Sequence, residues 1–156
     1  MLNHEEIARR IPHQGSMCLL ERVVLWDGTR IECEALSHRL ADNPLRAHGR
    51  LGIACGVEYA AQAMAVHGAL AAEAAGQGGG APRVGYLASV RGVELHAARL
   101  DDVAGNLTIR AERLMGDENN IVYSFELAAG AQPLLSGRAT VVLDASMAAR
   151  LGTERA

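Results

Sequence analysis

The sequence predicts an α+β domain in which one long central helix is wrapped by an antiparallel sheet. Three observations predict it. Residues 53–72 are built almost wholly from Ala, Val, Ile, Leu, Met, Gly and Cys, with Glu58 as the sole formally charged side chain. That run is too long and too rich in alanine for a strand, so it is a helix. Several other stretches, "TRIECEA", "GNLTIRAERLMG" and "IVYSFELAA" among them, alternate apolar and polar residues with the period of a half-buried strand. Turn signals separate them. A helix apolar nearly all round and strands apolar on one face bury their surfaces together when the sheet covers the helix. A length of 156 residues suits one domain, 1–156, with a weakly ordered tail after about residue 145.

The elements follow in order. Asn3 with Glu6 three residues later has the form of a capping box, predicting a short helix from His4 to about Arg10 that stops before Pro12. Met17 to Trp26 is rich in Leu and Val, and Asp27-Gly28 then marks a hairpin turn. In the returning strand Ile31, Cys33 and Ala35 alternate with Arg30, Glu32 and Glu34. "SHRLADNPLRAHGRLG" reads as an irregular loop. The long helix follows, and "AGQGGGAP" ends it. Three or four strands complete the chain, the last of them "PLLSGRATVVLD". One sheet of this kind has open edges and a thin core, which predicts a dimer.

Composition excludes several classes. The net charge of -3 without a basic block argues against nucleic acid as the main partner. Cys18, Cys33 and Cys55 are an odd number, widely spaced among apolar neighbours. They read as reduced core residues of a cytoplasmic protein. The polar amino-terminus lacks a signal-peptide core. The 53–72 run is long enough to span a bilayer but too rich in Ala and Gly, and it carries Glu58, Gln62 and His67, so no membrane span is expected. No HExxH, CxxC, GxSxG or P-loop pattern occurs, so no metal is expected.

Glu58 is the feature that asks for an explanation. A buried carboxylate is costly unless it is paired, hydrogen-bonded or protonated. At a helix start it gains about 0.3–1 kcal/mol from the helix dipole, which accounts for a solvent-facing glutamate. Gln62, one turn later, lies on the same face. Two polar residues on one line of an apolar helix suggest the wall of a cleft or an interface, where a carboxyl can serve as an acid. A histidine is the expected base. His38 and His48 precede the helix, and their positions do not choose between them. His67 lies nine residues after Glu58, on the opposite side at roughly 100° per residue, and reads as a packed side chain. His4 and His13 read as loop or surface residues, and His96 falls in a strand.

Five segments in order, "IPHQGSMCLLERVV", "HRLADNPL", "GVEYAAQAMA", "GYLASVRGVELH" and "LLSGRATVVL", resemble the hot-dog fold 3-hydroxyacyl-[acyl-carrier-protein] dehydratases. They cover nearly the whole chain. The branch most similar is that of aryl polyene and xanthomonadin-type pigment clusters. The resemblance implies a dimeric hot-dog fold, Glu58 as catalytic acid, His38 as catalytic histidine across the subunit interface, and Gln62 as support. It implies a backbone amide at Gly52 or Ile53 as the donor to the thioester carbonyl. The run between histidine and acid, "NPLRAHGRLGIACG", is longer than the family's and lacks its second proline.

The function so implied is dehydration of a 3-hydroxyacyl thioester on acyl carrier protein to the trans-2-enoyl thioester, in fatty-acid-like or aryl polyene biosynthesis. It needs no cofactor beyond the carrier's phosphopantetheine. Aromatic residues make up 3% of the chain, so an acyl channel would be aliphatic. Two rivals stand beside it: a catalytically degenerate partner in a heterodimer with another hot-dog subunit, and a hot-dog thioesterase. A homodimer and a heterodimer are both open. Arg39, Arg46 and Arg50 form a basic group suited to an acidic carrier protein.

Overall fold

The computed structural model describes residues 1–76, 85–117 and 119–143. Most of the connector, "QGGGAP", and the tail after residue 145 therefore lie outside the described residues. Among the described residues six strands form one antiparallel sheet: β1 (Arg22–Trp26), β2 (Arg30–Ala35), β3 (Gly85–Leu95), β4 (Leu107–Gly116), β5 (Asn120–Ala129) and β6 (Gln132–Leu143). Their order across the sheet is β1-β2-β4-β5-β6-β3. A short helix α1 (His4–Ala8) precedes them, and the long helix α2 (Gly56–Ala74) lies between β2 and β3. This is the hot-dog fold.

The alternation seen in the sequence is the register of the core. Ile31, Cys33 and Ala35 of β2, Ile109 and Ala111 of β4, and Ile121, Tyr123, Phe125 and Leu127 of β5 are all buried. They pack on α2, whose Tyr59, Ala60, Ala63, Met64, Val66 and Leu70 are buried as well. Gly56 marks a close approach: a Cβ there would lie 2.6 Å from Leu135 Cδ2 and 3.0 Å from Leu127 Cδ2. No helix among the described residues is long and apolar enough to cross a membrane.

The ends of the elements differ from expectation in instructive places. Asn3 and Glu6 form the capping box, but α1 stops at Ala8. Beyond it Arg10 turns its guanidinium back to Glu6 O and across to Glu73, which takes the chain out of the helix. β1 begins at Arg22 rather than Met17. Residues 15–17 form a 3-10 turn, and residues 18–21 are irregular, because Gln62 of α2 claims two of their backbone groups. The loop before α2 is more ordered than its composition suggests. Asn43 donates to Ser37 O and to the Tyr59 hydroxyl, which also bonds Ser37 Oγ at 2.8 Å. Asp101 accepts from Leu51 N and pairs with Arg99 and Arg46, and the Arg99 guanidinium holds its carboxyl far below the usual range.

Candidate functional site

The polar line on α2 is present as expected, and it is built into the fold. Gln62 is fully buried. Its Oε1 accepts from Leu19 N at 2.9 Å, and its Nε2 donates to Met17 O at 2.8 Å and to Glu58 Oε1 at 3.2 Å. Glu58 is thereby held by the residue one turn on, on its own face. Its side chain remains about one third exposed, at 33%.

The histidine against Glu58 is His13. Its Nε2 lies 3.1 Å from Glu58 Oε1, and the ring is 25% exposed. Both groups are therefore within reach of a ligand and of each other. His13 follows Pro12, whose ring fixes its own backbone and disfavours helix at Ile11. Gln14 braces the other side, donating to Ala8 O at 3.0 Å and Ile11 O at 3.4 Å. His13 lies in a loop and is partly exposed, in keeping with the expectation of a loop or surface residue, but its contact with Glu58 goes beyond that expectation. The signal that identifies it is the Pro-His dipeptide leading into an apolar stretch.

His38 is not brought to Glu58. It is completely buried in its own protomer. Its Nε2–H is shared between Val103 O at 3.1 Å and Gly105 O at 3.0 Å, while Nδ1 is buried without a partner among the described residues. Burial pushes its imidazole pKa down, with the carbonyls opposing. Arg39 beside it donates to Ala104 O and Asn106 Oδ1, so the two residues staple the 103–106 loop. Within its own protomer the ring is enclosed by that loop. His48 sits in a tight turn with positive φ, 52°, followed by Gly49 at 75°. Ala47 and Arg50 exchange both backbone hydrogen bonds around it, and the ring is exposed. His67 packs as expected on the far side of α2. Its Nε2–H donates to Asp27 O at 2.7 Å, and its Nδ1 accepts from the Tyr123 hydroxyl at 2.8 Å.

The two amide candidates also separate. Gly52 pairs with Arg99 as an antiparallel bridge. Flanking it, Ile53 N donates to Ala98 O and Leu100 N to Leu51 O. Ile53's amide is therefore spent inside the protein. In such a pair the groups of the central residue turn away from the partner strand, which directs the Gly52 N–H outward. A cleft of about 160 Å³ opens beside Cys18, Leu19, Ser37 and Asn43, and neither Glu58 nor His13 lines it.

Comparison with known proteins agrees with this architecture. The ApeP-like family, described as ApeP dehydratase, matches residues 5–151. Among solved structures, the dehydratase heterocomplex ApeI:P from Xenorhabdus doucetiae superposes with a TM-score of 0.80 at 22% identity, covering 93% of this chain and 95% of that one. A thioesterase from Haemophilus influenzae gives 0.63 at 13% identity over 92% of each chain. A mutant thioesterase from Staphylococcus aureus gives 0.58 at 13%, over 79% of this chain and 92% of that one. No curated protein matches. At these identities the structures share the fold, and the match over nearly the whole length settles the family: the chain belongs to the ApeP-like dehydratases.

Proposed function

We propose that this dehydratase removes water from a 3-hydroxyacyl thioester carried on acyl carrier protein, giving the trans-2-enoyl thioester, and that Glu58 and His13 are its acid and base. The observation that carries the reading is the 3.1 Å contact between His13 Nε2 and Glu58 Oε1, both partly open to solvent. His13 takes the proton from the carbon next to the thioester carbonyl. The C–O bond to the 3-hydroxyl breaks as Glu58 delivers its proton there, and water leaves. The proton taken by His13 then returns to Glu58 across their contact, which resets the pair. Charge gathering on the thioester oxygen is met by the outward amide of Gly52. Gln62 holds Glu58 in place. The reaction neither consumes nor releases electrons and needs no redox cofactor.

In this assignment His13 replaces His38 as the base, and Ile53 is set aside as the amide donor. The reasons are the enclosure of His38 and the use of the Ile53 amide by Ala98. The aryl polyene context rests on the resemblance together with the ApeP-like match.

A second hot-dog subunit is part of the proposal. β3 is a sheet edge with Leu87, Val93 and Leu95 exposed, the last at 53%. An apolar open edge of this kind is a template for pairing. The heterocomplex named above favours a different subunit as the partner. The test is intact-mass analysis of a 3-hydroxyacyl carrier protein incubated with the purified chain, alone and with a co-expressed hot-dog subunit. Loss of one water, abolished by Glu58→Gln and by His13→Ala but kept by His38→Gln, is the expected result. Release of free acid instead would make it a thioesterase. No reaction in either preparation would make the chain a non-catalytic partner.

A further inference from the structure

The polar line on α2 is longer than the site needs. Glu58, Gln62 and Glu73 fall within about 60° of one another around the helix at roughly 100° per residue, over about 22 Å of its length at 1.5 Å per residue. Each holds one point of the segment from Arg10 to Leu19. Glu58 meets His13. Gln62 takes Met17 O and Leu19 N. Glu73 receives a two-pronged ion pair from Arg10, with Nε to Oε1 at 2.9 Å and NH2 to Oε2 at 3.2 Å.

His13 depends on this arrangement because, among the described residues, its ring has no anchor besides Glu58. A histidine acting as a base is ordinarily oriented by a hydrogen bond at its second nitrogen. The Nδ1 of His13 has no partner among the described residues. The ring is therefore aimed by its backbone. Only Ile11 and Pro12 separate it from Arg10, and both are constrained: Ile11 is 4% exposed, and Pro12 has a fixed φ. The Arg10 NH1 bond to Glu6 O ties the same guanidinium to the end of α1.

Resting on the assignment of His13 and Glu58, we infer that Arg10 and Glu73 are positioning residues, which set the catalytic histidine against its acid from the far end of α2. An ion pair this exposed, 26% and 43% for the two side chains, adds little to stability. Its effect is geometric, and geometry at a reacting pair is costly to lose: a displacement of about 1 Å lowers a rate by up to about 100-fold.

The experiment compares wild type with Glu73→Gln, His13→Ala, the double variant, and the exchange Arg10→Glu with Glu73→Arg. It uses the preparation that is active in the mass assay. Glu73→Gln is expected to lower kcat by about 10-fold or more with little change in KM, and to leave the thermal midpoint nearly in place. Added to His13→Ala, it costs nothing further. The exchange recovers most of the loss. In the isolated chain, the nuclear Overhauser contact between the His13 ring and the Glu58 side chain is present in wild type and lost in Glu73→Gln. Wild-type kcat in Glu73→Gln, or an undiminished contact, overturns the inference while leaving the acid–base pair standing. Full activity in His13→Ala sinks the pair itself, and the contact then decides the positioning role alone.

Discussion

Replacing Gln62 by methionine removes three hydrogen bonds while keeping the side chain's length. The Leu19 amide is left buried without a partner, and stranding a group of that kind costs about 1–3 kcal/mol. Met17 O is only partly buried and recovers some hydration, so its share is nearer 1 kcal/mol. Glu58 keeps His13 and solvent, and its share is small. The expected loss is about 3 kcal/mol, which for a chain of this size lowers the thermal midpoint by about 6–12 °C. Urea unfolding followed by circular dichroism at one fixed protomer concentration measures it, the m-value serving as the control. A loss below about 1 kcal/mol with an unchanged m-value would refute the reasoning, because it would mean that the 17–19 segment finds other partners without Gln62.

Acidification tests the buried histidines. Burial pushes both His38 and His67 down, so their folded pKa values lie below the unfolded value of about 6.5. The unfolded chain then binds more protons as pH falls, and stability present above about pH 6.5 is lost below it. Urea midpoints from about pH 5 to 7.5 should show this slope, and His67→Gln should flatten it. Gly56→Ala places a methyl 2.6 Å from Leu135 Cδ2. Overpacking of about 1–3 kcal/mol, set against about 1 kcal/mol of helix propensity, predicts a net loss of about 1 kcal/mol on chemical denaturation. Among the thiols, Cys33 is fully buried and pushed up to about 12, and Cys18 is also raised. Partly exposed Cys55 should therefore label first with a thiol reagent, and Cys33 only on unfolding. Rapid labelling of Cys33 in the native protein would contradict the packing of β2.

The helix and the strands were legible because their patterns are local. Period two on β2, β4 and β5, the alanine-rich run of α2, and the Asn3 capping box each record a nearest-neighbour rule. Glu58 and Gln62 were legible for the same reason, since one helical turn puts them on one face. The partner of Glu58 was not, because His13 reaches it from 45 residues away along an arm whose path is set by Arg10, Pro12 and Gln62. His38 attracted attention by its place in the loop before the helix. Its hydrogen bonds to the carbonyls of Val103 and Gly105 could not be read there, because they require knowing that the loop before β4 passes beside it. The start of β1 was misplaced for a related reason: Leu19 and Leu20 are apolar, yet a side chain of α2 takes the hydrogen bonds a strand would need.

The turn between β1 and β2 has a consequence for anyone who engineers this chain. Asp27 Oδ1 accepts from the amides of Thr29 and Arg30, while its carbonyl accepts from His67 in the middle of α2. The tip of this hairpin is a keystone, and a tag or fluorophore grafted there would pull on the helix from the side opposite Glu58. The turn between β5 and β6 is the contrasting location. Gly130 has open space around its Cα, a φ of 59°, and an exposed neighbour in Ala131. A reporter or a new pair of termini belongs at that turn, where, among the described residues, the chain bends without tying another element in place.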